Sequence, residues 1–206
     1  GRITQMFGKR VPEIFYINER SRTASEELAQ VLSYCILQAE REFREVIFLC
    51  IGSDRITRDS LGPLIGHQLA PYRKPGFFVY GTLDDPVHAL NLTDRLRLIQ
   101  RRHPEGLIVA IDASLGSRRH QGYITVGCGS IRPGAGAGKS LPEVGDVFIT
   151  GIVNVSGSFE QLLLQTTRLS TVFHMADAIT QGILIGFQSL ESAALTTVPA
   201  AGIAVK

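Results

Sequence analysis

The sequence predicts an α/β fold, a three-layer, doubly wound and mainly parallel sheet with helices on both faces. Three observations carry that expectation. Short apolar, β-branched runs recur at VIFLCIG (46–52), FFVYG (77–81) and GLIVAID (106–112). Stretches with helical spacing separate these runs, which calls for crossover connections and therefore parallel neighbours. At 206 residues and 44% hydrophobic content the chain can bury one sizeable core, so residues 1–206 read as a single domain.

The elements follow in order. Residues 24–43 place Leu28, Val31, Leu32, Cys35, Ile36 and Ala39 on one helical face, with Ser25 as the expected cap. The run 46–52 is continuously apolar and too short for a buried helix, so it reads as a strand covered on both faces. Helical pattern resumes at Leu61, a strand follows at 77–81, a helix at 88–103 and a strand at 106–112. Residues 122–128 and 146–153 read as further strands, and 158–169 and 171–189 as helices. Between the last two strands, SIRPGAGAGKSLPEVG is a glycine-rich loop without strand periodicity. The closing residues, about 192–206, are small and weakly patterned and read as a tail or edge element.

Composition narrows the partners. Lysine plus arginine number 21 against 19 acidic residues, a net charge of +2 that gives no field for nucleic acid or anionic membranes. Arg95, Arg97, Arg101, Arg102 and His103 fall on one helix, where a solvated basic face near the C-terminus accounts for them. Cys35, Cys50 and Cys128 are odd in number and irregularly spaced, which suits buried free thiols in a reducing compartment. No run approaches the ~20 apolar residues of a membrane span, and the first residues lack a signal-peptide core. A soluble, cytoplasmic protein is expected.

In an open parallel sheet, sites form beyond the carboxyl ends of the strands. Three predicted strands end in polar groups: the first in Ser53, Asp54 and Asp59, the second in Thr82, Asp84 and Asp85, the third in Asp112 itself. Asp59 and Asp112, brought together from adjacent strands, would make a carboxylate pair. Such a pair can share a proton, one member acting as base toward water and the other donating to a carbonyl, or it can ligate a metal. Each residue also has a plainer reading: Asp59 as a helix cap, Asp112 as a turn cap, and Asp84 and Asp85 as turn residues before Pro86. The loop GAGAGK misses the phosphate-loop spacing by one residue, and Pro142 and Gly145 interrupt the helix that should follow it. Histidines 67, 88, 103, 120 and 174 show no ligand spacing, although His120 follows Asp112 closely enough to be considered as a third ligand. Neither a cofactor nor a metal is called for.

Taken together, CIGSDRITRDSLGPLIG, IVAIDASLGS and GSIRPGAGAGK resemble the YyaC sporulation proteins, often labelled spore proteases. More distantly they resemble the germination protease and the hydrogenase maturation proteases. The likeness runs from about residue 46 to residue 154. It implies an atypical aspartic endopeptidase on the α/β fold of the maturation proteases, acting on spore proteins inside the sporulating cell or spore. A catalytically inactive relative that binds a peptide or ligand is the alternative, and a homo-oligomer is compatible with either. By the same resemblance, Asp59 in Thr57-Arg58-Asp59-Ser60-Leu61-Gly62-Pro63 and Asp112 correspond to the two functional aspartates. Ser53 and Asp54 support the first strand's loop, and Gly134, Gly136 and Gly138 with Arg132 form the glycine-rich, substrate-binding block. Three positions depart from the pattern: Ser53 replaces an asparagine, Arg132 a histidine and Arg58 a proline. Either arginine, placed nearby, is expected to lower the pKa of Asp59 or Asp112.

Overall fold

The computed structural model describes residues 13–134, 141–157 and 166–196. Its elements are β1 (Ile14–Asn18), α1 (Ala24–Leu37), β2 (Glu45–Cys50), α2 (Leu61–Leu69), β3 (Phe77–Tyr80), α3 (Leu92–Arg102), β4 (Gly106–Gly116), β5 (Tyr123–Cys128), β6 (Val147–Val155) and α4 (Leu169–Thr196). Short 3-10 turns lie at Thr57–Asp59 and Arg118–His120. The strands form one sheet in the order β1, β5, β6, β4, β2, β3. β3, β2, β4 and β6 run parallel, whereas β5 runs against both β6 and β1. The mainly parallel α/β architecture is therefore the observed one.

The periodicity of each strand explains the layers. On β2, Val46, Phe48 and Cys50 join one buried cluster with Leu28, Leu32 and Ile36 of α1, Leu61, Ile65 and Leu69 of α2, and Val172, Met175, Ile179 and Ile183 of α4. The alternate residues Ile47 and Leu49, with Ile51, pack in a second cluster with Leu92 and Ile99 of α3 and with Ala110, Val144 and Phe148. β2 is thus covered on both faces, as its unbroken apolar run requires. Each fully buried Leu, Ile or Phe contributes about 1.5–3 kcal/mol of transfer free energy. Among the described residues no helix is long and apolar enough to cross a membrane.

Several boundaries move. α1 ends at Leu37 and not at residue 43, because residues 38–44 must turn the chain into β2. Arg41, in that turn, donates to the Gly106 carbonyl and pairs with Asp146 at 2.8 Å. Ser25 lies inside α1, not at its start: Thr23 is the N-cap residue, and the Ser25 hydroxyl donates to the Ala178 carbonyl at 3.1 Å. β1 escaped the sequence reading; it is an edge strand whose partner β5 lies over 100 residues on, with Ile17 opposite Ile124. Leu169 begins α4, which runs on through 192–196, residues expected in the tail; the expected helix over 158–169 lies mostly outside the described residues, as does the tail from 197. His103 is not part of a solvated face but is buried, held between Tyr80 and Glu45.

Candidate functional site

The topology places a crevice before any side chain is considered. β2 leads through α2 to β3 on one side, and β3 returns through α3 to β4 on the other side of β2. The winding reverses between β2 and β4, and the carboxyl ends of those two strands are where such folds bind ligands. β2 and β4 stay paired only as far as Cys50 opposite Ile111. Beyond that pair β2 turns away at Gly52, while β4 continues beside β6 to Gly116. Asp112 is the first residue of β4 past the split.

Asp112 does not terminate its strand, contrary to the sequence expectation. It is paired with Thr150 of β6, and β4 runs four residues further. The plainer reading of Asp112 as a turn residue fails for the same reason. Alternation along β4 puts Asp112 on the sheet face that Ala110 shares with the α3 cluster. The residue is half-buried, and burial of its carboxyl pushes its pKa up to about 7. A hydrogen bond from the Ala113 N–H opposes that rise, the charge of Asp59 adds to it, and a bond from the Gly134 N–H opposes it again. The glycine-rich loop therefore reaches Asp112 through Gly134; Gly136 and Gly138 lie outside the described residues.

Asp59 reaches the same crevice from β2. The chain leaves the strand at Gly52, whose φ of 147° suits glycine, and the Ser53 N–H donates to the Asp59 carbonyl at 3.0 Å, closing the loop. Asp59 ends the 3-10 turn, its N–H donating to the Ile56 carbonyl at 2.9 Å. It stands one residue ahead of Ser60, the N-cap position of α2, so it is not the cap residue itself. The Ser60 hydroxyl donates to the Thr57 carbonyl at 2.7 Å and fixes the turn. Asp59 remains open to solvent as a residue, yet partial burial raises its carboxyl pKa, with Arg58 pulling the other way.

The arginine expectation is corrected here. Burial outweighs Arg58 at Asp59, and both aspartates sit above the ordinary carboxylate value. Arg132 is exposed and pairs with Glu143 at 3.1 Å. Ser53 accepts a bond from the Arg55 N–H at 3.3 Å, while Asp54 is exposed. The loop after β3 serves structure: Thr82 and Asp85 bond to each other's backbone, and Asp85 forms a two-point ion pair with Arg95 of α3. His120 is stacked on Tyr16 at 4.6 Å and hydrogen-bonded to Ser117. Among the described residues no group of three or more His, Cys, Asp or Glu side chains converges as metal ligands would.

Sequence reasoning missed a row of hydroxyls beside Asp112. Thr150 is its partner across the ladder, Thr125 of β5 bonds to Thr150, and the Ser114 hydroxyl donates to Thr150 at 3.4 Å. Their signal was the period of two in ITV and FIT, legible only once the register of three strands is known.

The comparisons with known proteins agree on one family. Residues 16–182 match the family described as "Protein of unknown function (DUF1256)". Over 168 residues the chain is 42% identical to a Bacillus subtilis (strain 168) protein called "Uncharacterized protein YyaC", an alignment that covers 82% of this chain and 81% of that protein. A family match over most of the sheet, with that level of identity, places the crevice and both aspartates inside the shared region, and the chain belongs to the DUF1256 family.

Proposed function

We propose that the chain is an endopeptidase of an atypical aspartic type, with Asp59 and Asp112 as its working carboxylates and spore proteins as its substrates. The observation that supports this best is the unequal pair itself: burial pushes the Asp112 pKa up to about 7, and Asp59 borders the same crevice. Near neutral pH such a pair holds one proton between two groups. Asp59, the more solvated member with Arg58 beside it, is the carboxylate that takes a proton from the attacking water. Asp112, still protonated, donates to the carbonyl oxygen of the scissile amide as the tetrahedral centre forms. As the C–N bond breaks, Asp59 passes its proton to the leaving amine and Asp112 takes one back from a hydroxyl of the tetrahedral centre, which restores the pair. The Gly134 N–H steadies Asp112.

A second reading has its own support. Arg58 opposes the rise that burial imposes on the Asp59 pKa, and an aspartate beside an arginine also suits a pocket that binds a peptide or small ligand without turnover. Incubating the purified protein with spore extracts or a peptide library separates the two. Cleavage that is lost in both Asp59→Asn and Asp112→Asn and survives a chelator supports the peptidase. Cleavage retained by both variants sinks the two-aspartate mechanism, and binding without cleavage under every condition supports the second reading.

A further inference from the structure

Cys35 and Cys128 lie 93 residues apart in sequence and on different elements, yet their sulfurs are 2.6 Å apart. Both are free thiols in the structure. A disulfide bond is ~2.0 Å long, so the two sulfurs stand close to bonding distance. Both are rigidly seated. Cys35 is on the core face of α1 with Leu32 and Ile36. Cys128 ends β5 opposite Val147, with its N–H donating to the Glu13 carbonyl at 3.2 Å. We infer that Cys35 and Cys128 form an oxidisable pair that closes into a disulfide, tying the first helix to the antiparallel edge of the sheet.

The geometry also orders the steps. Cys35 is buried, and burial, followed by its bond to Cys128, pushes its thiol pKa up, whereas Cys128 is only half-buried. Cys128 is the thiol that a small disulfide such as oxidised glutathione reaches first. Its thiolate attacks one glutathione sulfur and expels the other as a thiol. Cys35 then attacks the Cys128 sulfur and expels the second glutathione, its proton leaving with that thiol. Two electrons pass from the protein to the glutathione disulfide, and two protons stay with the two reduced glutathiones. Cys50 takes no part, because it lies wholly inside the sheet core. The pair sits near the amino end of β6, where Cys128 faces Val147, while Asp112 faces Thr150 further along the strand. Closure therefore does not depend on what the aspartates do.

The test is to treat the native, reduced 206-residue chain with excess oxidised glutathione at mildly alkaline pH, then unfold it and count thiols. The expected result is a fall from three thiols to one, a mass about 2 Da lower, and a digest in which the peptides of Cys35 and Cys128 are joined. Unfolding should shift to higher temperature and return on adding dithiothreitol. Cys35→Ser should instead stop at a stable glutathione adduct on Cys128. Three remaining thiols, a lasting adduct on the wild-type chain, or a bridge that includes Cys50 would overturn the inference.

Discussion

The carbonyl oxygen of Asp59 lies 2.1 Å from the place where a Cβ on Gly52 would stand. Pro63 crowds the same place, its Cδ at 3.0 Å, and the Gly52 φ of 147° is one that L residues rarely adopt. Backbone and not a flexible side chain occupies the space, so it cannot yield cheaply. Gly52→Ala should cost roughly 2–4 kcal/mol from the strained φ and the displaced turn together. In a chain of this size that lowers Tm by on the order of 10 °C. A thermal melt checks the stability, and loss of cleavage in the fraction still folded checks that Asp59 has moved. A variant as stable as wild type would show that the loop is not pinned at this contact.

Asp112 should make the protein less stable as pH rises. Its pKa in the fold is about 7, against an ordinary carboxyl value of 3.8. The native state thus holds a proton that the unfolded chain has released between those values, and stability falls as pH rises through that window. Full stability is present below the unfolded value and is lost as pH passes the folded one. At 1.36 kcal/mol per unit the loss is at most about 4 kcal/mol. Asp112→Asn removes the buried charge and keeps an oxygen for the Ala113 and Gly134 N–H groups. Its melting temperature should exceed that of wild type at pH 8 and converge with it toward pH 4. A difference that does not depend on pH would contradict the buried-carboxyl account.

At the amino end of β2, away from the crevice, His103 bridges two polar groups. The Tyr80 hydroxyl lies 2.8 Å from Nε2 and the Glu45 carboxylate 2.8 Å from Nδ1, while the ring packs on Phe78 at 4.4 Å. His103→Ala strands both partners and leaves a gap, a loss of about 2–4 kcal/mol. Tyr80→Phe removes one bond and should cost about 1 kcal/mol. Chemical denaturation measures both losses. Neither variant should alter cleavage per folded molecule, which sets them apart from changes at Gly52 and Asp112.

What the sequence revealed and what it hid have physical reasons. β2 was legible because a strand covered on both faces must be apolar throughout, and α2 because Leu61, Ile65 and Leu69 recur at helical spacing. The sequence set Asp59 and Asp112 at the ends of two predicted strands and could pair them only on the condition that those strands are neighbours, a condition that the β4-β2 pairing meets. The extension of β4 was hidden because a polar Asp112 reads as the end of the strand, and only pairing with β6 shows that the chain from Asp112 to Gly116 stays in the sheet. His103 was hidden among arginines; its burial depends on Glu45 and Tyr80, 58 and 23 residues away. The contact between Cys35 and Cys128 joins a helix face to a strand end, which no local pattern reports.

The proposed chemistry makes a demand on pH that the two aspartates answer separately. Activity requires Asp112 protonated and Asp59 ionised, so kcat/KM should trace a bell. The alkaline limb belongs to the loss of the Asp112 proton near pH 7. The acid limb belongs to Asp59, whose pKa burial raises and Arg58 lowers. Because the protons are coupled, the limbs report apparent values of the pair. Arg58→Ala removes the opposing charge, so the acid limb should move to higher pH and the bell should narrow from that side. The alkaline limb should move far less, since Arg58 is not among the causes that set Asp112. Measuring kcat/KM against pH for wild type and Arg58→Ala decides it: an unmoved acid limb would remove Asp59 from the role of base, and a profile without an alkaline limb would remove Asp112 from the role of acid.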